Sequence, residues 1–234
     1  MLGKRGFMGS TGVINRSGVI YPSLMSADPL NLESEIQSLM EIGAGAVHID
    51  MLDGVFAPNL SGFNVGSLKA ISERFPKLYL DVHLMVCQPL LHLPAILPFA
   101  SRVSVHVESE GFLEALDLIQ QGGAEVSVAI NPDTTVDLLQ GVLDHIDNIC
   151  IMGVNPGFSG QKFIEGTLEK ISMLKQMRED RSFTLQVDGG IDEGTLLQCR
   201  IAGADQFVSG STLFVSEDRK KAFSALNSIF QEVN

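Results

Sequence analysis

From residue 19 onward, short runs of β-branched and aliphatic residues alternate with longer stretches whose apolar positions recur every three or four residues. The short runs "VIYPSLM" (19–25), "AVHIDML" (46–52), "LYLDVHLM" (78–85) and "RVSVHVE" (102–108) read as strands. They are followed by "EVSVAI" (125–130), "NICIMGV" (148–154), "TLQVDGG" (184–190) and "QFVSG" (206–210). In the intervening "LNLESEIQSLMEIGAG", Leu32, Ile36, Leu39 and Ile42 share one helical face. The stretches "GFLEALDLIQQGGA", "GTLEKISMLKQMRED" and "EGTLLQCRIAGA" repeat that pattern, and Gly122-Gly123 and Gly203 stand where left-handed C-caps are expected. Eight strand–helix units predict an α/β fold with a parallel sheet closed into a (β/α)₈ TIM barrel. An open doubly wound sheet would call for a G-x-G-x-x-G turn after the first strand, and "YPSLMSADP" has none.

The chain of 234 residues, 45% hydrophobic, suits one large domain over 19–234, with residues 1–18 read as a Gly/Ser-containing N-terminal extension. A formal net charge of −12 argues against nucleic acid or an anionic membrane surface as partner. It does not argue against a local anion site made of backbone amides. Cys87, Cys150 and Cys199 are odd in number, far apart and without a C-x-x-C pair, which fits a reducing compartment. No apolar run approaches the ~18–20 residues of a membrane span. The opening "MLGKRGFMGSTGVINRSG" has no apolar h-region of a signal peptide, so a cytoplasmic protein is expected.

Against this background the polar residues within the strands stand out. In "VHIDMLDG", His48 and Asp50 point to one side of the strand while Val47, Ile49 and Met51 point to the other. Burying an imidazole beside a carboxylate is costly unless each is paired or holds a metal. The other strand ends add Ser23, Asp81, His83, His106, Glu108, Asn155 and Asp188. A lone strand histidine is more often a hydrogen-bonded core residue, and a lone Asp before Gly-Gly more often a turn former. The set changes that balance. His48, Asp50, His83 and Asp188, from strands 2, 3 and 7, can converge on the barrel axis, a donor set suited to divalent Zn, Fe or Mn. His92 and His145 fall in helix or loop patterns and receive no role. Glycines carry a second signal: "DGG" (188–190) and "SGS" (209–211) end strands 7 and 8, where such barrels commonly bind phosphate. "NPGFSG" (155–160) after strand 6 reads as a mobile lid.

The strings "PSLMSAD", "VHIDMLDGVFAPN", "LDVHLM", "NPGFSGQKFI", "VDGGI" and "SGSTLF" resemble the ribulose-phosphate 3-epimerases in order and spacing, from about residue 19 to 215. The resemblance implies a barrel enzyme that interconverts ribulose 5-phosphate and xylulose 5-phosphate with one bound divalent metal and no organic cofactor. It implies His48, Asp50, His83 and Asp188 as metal ligands and Asp50 and Asp188 as the acid/base pair. It also implies substrate and phosphate contacts from Ser23, His83, Gly157, Phe158, Ser159, Gly160, Asp188, Gly189, Gly190, Gly210 and Ser211. Met85 and Met152 would stand near the ene-diolate, and a homo-oligomer is expected. Inverting a carbon beside a carbonyl removes a proton from one face and delivers one to the other, which two carboxylates on opposite sides can do.

Three stretches depart from the family pattern: Leu52 stands where a Met is usual, "NLSGFNVG" (59–66) is one residue longer than usual, and the lid reads "GFSG" for "GFGG". They leave room for a different sugar phosphate or a slower enzyme. Epimerases of ketohexose phosphates such as allulose 6-phosphate tend to carry "VDPG" and "VDGS" where this chain has "VNPG" and "VDGG", which favours the pentose. An orotidine-phosphate-type decarboxylase needs a strand-3 D-x-K, and this chain has "DVH". A non-catalytic phosphosugar-binding homologue would keep the glycine loops and lose a metal or acid/base residue; all four are present.

Overall fold

A computed structural model describes residues 19–60 and 63–232. The extension expected over residues 1–18 and positions 61–62 of the altered loop lie outside the described residues. The strands are β1 (Val19–Pro22), β2 (Ala46–Leu52), β3 (Tyr79–Met85), β4 (Arg102–His106), β5 (Glu125–Ile130), β6 (Asn148–Met152), β7 (Thr184–Asp188) and β8 (Gln206–Ser209). They form one eight-stranded parallel sheet in which β2 to β8 pair in sequence and β8 pairs with β1. A bridge between Ser23 and His48 joins β1 to β2, so the sheet closes into the expected barrel.

The helices are α1 (Leu32–Glu41), α2 (Val65–Arg74), α3 (Leu93–Ile96), α4 (Phe112–Gly122), α5 (Gly166–Arg178), α6 (Glu193–Ala202), α7 (Ser211–Phe214) and α8 (Arg219–Glu232). They differ from eight equal units. The β5–β6 connection holds only a 3₁₀ turn, Val136–Leu139, and β3–β4 holds a 3₁₀ turn and the four-residue α3. Pro132 and Gly141 bracket the β5–β6 run too closely for a costly helical nucleus to propagate. Instead Lys170 donates to the carbonyls of Asn131, Pro132 and Thr134 (2.6, 2.8 and 2.7 Å) and holds that loop in place.

Strand alternation divides the interior in two. Val47, Ile49, Val82, Leu84, Val103, Val105, Ile149, Ile151 and Val187 face outward and pack with Ile36, Leu39, Leu68, Ile119, Ile171 and Leu196 of the helices, forming the main apolar core. The other face of the same strands fills the barrel, and much of that filling is polar. On its lower layer Arg102 clamps Asp81 with two hydrogen bonds of 2.8 Å and donates to Gln206 at 2.7 Å. Gln186 donates to Asp81 at 2.8 Å, while Asn148 links Thr184, Ser127 and Gln206. The Arg102 guanidinium lies 5.0 Å from the Tyr21 ring centroid. Arg102 and Asp81 are both fully buried, and the bidentate geometry is what makes such a pair tolerable.

Removing one partner of that pair strands the other charge. Arg102→Met should cost about 3–5 kcal/mol of unfolding free energy, measured by urea denaturation, while Asp81→Leu combined with Arg102→Met should cost less than the single change. A single-variant loss below about 1 kcal/mol would show that Asp81 is not held as a buried anion by Arg102.

Candidate active site

One turn of the pleat above Asp81, the strands bring four ligand-type side chains together. The β2–β3 register places Asp50 opposite His83, and the β6–β7 register places Asp188 opposite Met152. His48 Nε2 lies 3.2 Å from Asp50 Oδ1 and 3.4 Å from Asp188 Oδ2. His83 Nδ1 lies 3.3 Å from Asp50 Oδ1 and 3.2 Å from Asp188 Oδ2. All four ligand atoms fall within 4.8 Å of one another, and all four residues are buried. His48 Nε2 and His83 Nδ1 are buried with no hydrogen-bond partner, an expensive state that a cation between them would relieve. Ligand nitrogens and oxygens sit roughly 2.0–2.2 Å from such an ion, so the observed spacing fits a small divalent metal.

Each histidine is fixed from behind. His48 Nδ1 donates to Asp81 Oδ2 at 2.8 Å, which leaves Nε2 as the ring's lone pair. Asp81 therefore does not belong among the strand-end site residues: it is register-paired with His48 and Arg102, one layer below the centre. His83 Nε2 meets His106 Nε2 at 2.9 Å, and His106 Nδ1 meets Glu108 Oε2 at 3.0 Å. Burial holds the His106 imidazole down at about 4, against the pull of Glu108, so the ring is neutral. Burial alone would raise the Asp50 and Asp188 carboxyls, yet the imidazoles of His48 and His83, when protonated, hold both below their ordinary range.

Asp50 and Asp188, unlike the two histidines, also line a cleft of about 420 Å³ at the C-terminal ends of the strands. Ser23 donates to Asp50 Oδ2 at 2.9 Å from the edge of that cleft. Met85 and Met152 form part of the wall. Leu52 packs with Met85 and Ala57, and Met25 packs onto the same group while lining the cleft. Met25 carries no site signal in the sequence, because "VIYPSLM" reads as strand throughout whereas Leu24–Ser26 is a turn.

The segment 155–160 forms another wall, including Gly157, Phe158, Ser159 and Gly160. Asn59 donates to the Gly157 carbonyl at 2.6 Å, and Gln161 donates to those of Asn155 and Phe158 at 2.7 and 2.9 Å. The Phe158 side chain is 54% exposed. Facing it run Gly189, Gly190, Gly210 and Ser211. Gly190 has φ +70°, and a Cβ there would stand 2.8 Å from the Phe163 backbone, so both conformation and space require glycine. Ser26 and Lys162 also line the cleft; Ser26 Oγ is buried without a partner beside Gly210. Ser26 was findable in "PSLMSAD", three residues after Ser23, but carries no periodic signal of its own.

A family model described as the ribulose-phosphate 3 epimerase family matches residues 19–214. The ribulose-phosphate 3-epimerase of Bacillus subtilis strain 168 is 38% identical over 213 residues, covering 88% of this chain and 97% of the relative. That of Treponema pallidum strain Nichols is 41% identical over 205 residues, covering 86% and 93%. Among solved structures, 3-hexulose-6-phosphate synthase from Salmonella typhimurium superimposes with a TM-score of 0.73 at 13% identity, covering 92% of this chain and all of that one. The 3-keto-L-gulonate-6-phosphate decarboxylase from Vibrio cholerae gives 0.71 at 12%, covering 93% and 99%. At such identities these two structures speak to the barrel alone. The match across nearly the whole barrel, with relatives of one name over most of its length, makes this chain a member of the ribulose-phosphate 3-epimerase family, and an isomerase.

Proposed function

We propose that the protein epimerises D-ribulose 5-phosphate to D-xylulose 5-phosphate at C3, with Asp50 and Asp188 as the proton-transfer pair. The observation that carries this reading is that both carboxylates reach the same cleft while each keeps one oxygen on the buried His48–His83 pair. One carboxylate takes the C3 proton from one face of the sugar and the other returns a proton to the opposite face, so one must be ionised while its partner is protonated. The Ser23 hydroxyl holds the Asp50 carboxylate in orientation. His48, Asp50, His83 and Asp188 would hold a divalent ion (Zn, Fe or Mn), which supplies Lewis-acid stabilisation of the charge that develops on the substrate oxygens.

Met85 and Met152 give the planar ene-diolate soft, polarisable neighbours without donating or accepting protons. The backbone at Gly189, Gly190, Gly210 and Ser211 would hold the phosphate, which explains how an acidic protein accepts a dianion. The 155–160 segment, with Phe158 and Ser159, would cover the sugar and keep water from the intermediate. The proposal extends to a cytoplasmic homo-oligomer. It is supported by free Cys87, Cys150 and Cys199 and by exposed apolar side chains such as Val55, Leu60 and Leu91. No described helix is long and apolar enough to cross a membrane.

Epimerisation of ribulose 5-phosphate, assayed beside allulose 6-phosphate with added metal, should strongly favour the pentose; a preference for the hexose would overturn the substrate assignment. Asp188→Asn and Asp50→Asn should each lower kcat by about 10²–10⁴-fold, with deuterium from the solvent washing into C3 of one epimer without inversion. Near-normal inversion by either variant would remove that residue from the pair. Stripping metal with a chelator should abolish turnover. Restoring it at about 1,000 times its dissociation constant should add about 4 kcal/mol of stability, read as a rise in Tm. Gly190→Val should raise KM for the sugar phosphate with little change in metal affinity.

A further inference from the structure

We propose that Glu108 and His106 form an outer relay that orients the ring of His83, so that both act as positioning residues for the metal centre. The inference rests on His83 being a ligand, as proposed above, and adds two residues that touch neither the ligand atoms nor the cleft.

The argument is one of proton placement. Two ring nitrogens 2.9 Å apart, as in His83 Nε2 and His106 Nε2, need one donor and one acceptor. A carboxylate only accepts, so Glu108 Oε2, 3.0 Å from His106 Nδ1, requires the proton of His106 to be on Nδ1. His106 Nε2 is then the acceptor, and His83 Nε2 must carry the proton that it receives. What remains on His83 is the Nδ1 lone pair, the buried atom without a hydrogen bond that faces Asp50 and Asp188. The relay is anchored at its far end, because Glu108 Oε1 accepts the backbone N–H of Asn131 at 2.9 Å. It is clamped sideways by Phe56, whose ring centroid lies 4.6 Å from that of His106. The two histidines thus present opposite ring nitrogens to one centre: His48 its Nε2, set directly by Asp81, and His83 its Nδ1, set by Glu108 through an intervening imidazole. A direct carboxylate support could not serve His83, since His106 occupies the position next to its Nε2.

Glu108→Gln tests the polarity of the relay. The Asn131 N–H keeps the amide oxygen of the new side chain, so the NH₂ group faces His106 Nδ1 and the proton order reverses toward His83 Nδ1. The variant should bind zinc about 10–100-fold more weakly, measured by competition with a chromophoric chelator, with an unchanged melting temperature of the metal-free protein. A purely structural role would do the opposite, lowering that temperature and leaving zinc affinity alone. Wild-type zinc affinity in a folded variant would overturn the relay. Should the variant fail to fold, nitrogen-15 spectra of the zinc-loaded wild-type protein decide the matter. A proton on His106 Nδ1 is expected, and one on Nε2 overturns the proposal. Zinc binding with the wrong His106 tautomer rejects the relay alone, whereas a wild-type protein that binds no zinc rejects the metal reading beneath it as well.

Discussion

Three carboxylates, Asp50, Asp81 and Asp188, are buried in one barrel, and the structure depends on how their charge is compensated. In a poorly screening interior an uncompensated anion is too costly to keep, so each must have a cation or a full set of donors. Asp81 has both, in Arg102 and the Gln186 amide, and it stays low in the barrel away from the cleft. Asp50 also accepts from the Ser23 hydroxyl, and both Asp50 and Asp188 lie against the two imidazoles, whose facing nitrogens make no hydrogen bond. That difference separates a structural carboxylate from two that are available for chemistry. The four ligand-type side chains at the upper layer form a group that could hold a metal ion.

The same separation governs the fold. The outward faces of the strands carry the apolar contacts that hold the helices, and they would do so whatever filled the barrel. The inward faces are thereby released from packing duty and arranged in layers. Asp81, Arg102, Gln186 and Gln206 form a locked floor, with His48, Asp50, His83 and Asp188 above it. The floor does more than fill space, because Asp81 also sets the proton on His48. Stability and site geometry are coupled at that one carboxylate.

Much of this was written into the chain in local form. The two-residue and three-to-four-residue periodicities located all eight strands, because side-chain direction along a strand or helix is fixed by the backbone alone. "VIYPSLM" ran past the true end of β1 because Pro22 and the turn after it carry no contrast in hydropathy. The lack of an α-helix between β5 and β6 was harder to read, since the apolar spacing of residues 136–146 suits a 3₁₀ turn as well as an α-helix. The convergence of His48, Asp50, His83 and Asp188 was legible because parallel strands of a closed barrel end at a common level.

The sequence by itself determined the barrel, its polar lining and the residue types at the strand ends, since those follow from pattern and from the chemistry of single side chains. Tertiary structure alone decided depth and proton placement. Asp81 and His83 are two residues apart on one strand and look alike as candidates, yet register against β4 gives one a buried arginine and the other a place at the centre. Which ring nitrogen each histidine turns inward depends on a partner from another strand or its trailing loop, Asp81 for one and the His106–Glu108 pair for the other. Met25 and Ser26 became visible as lining only once a turn had folded over the cleft. Each of these features is set by contacts between segments far apart in the chain, and no local pattern of hydrophobic and polar positions encodes such a contact.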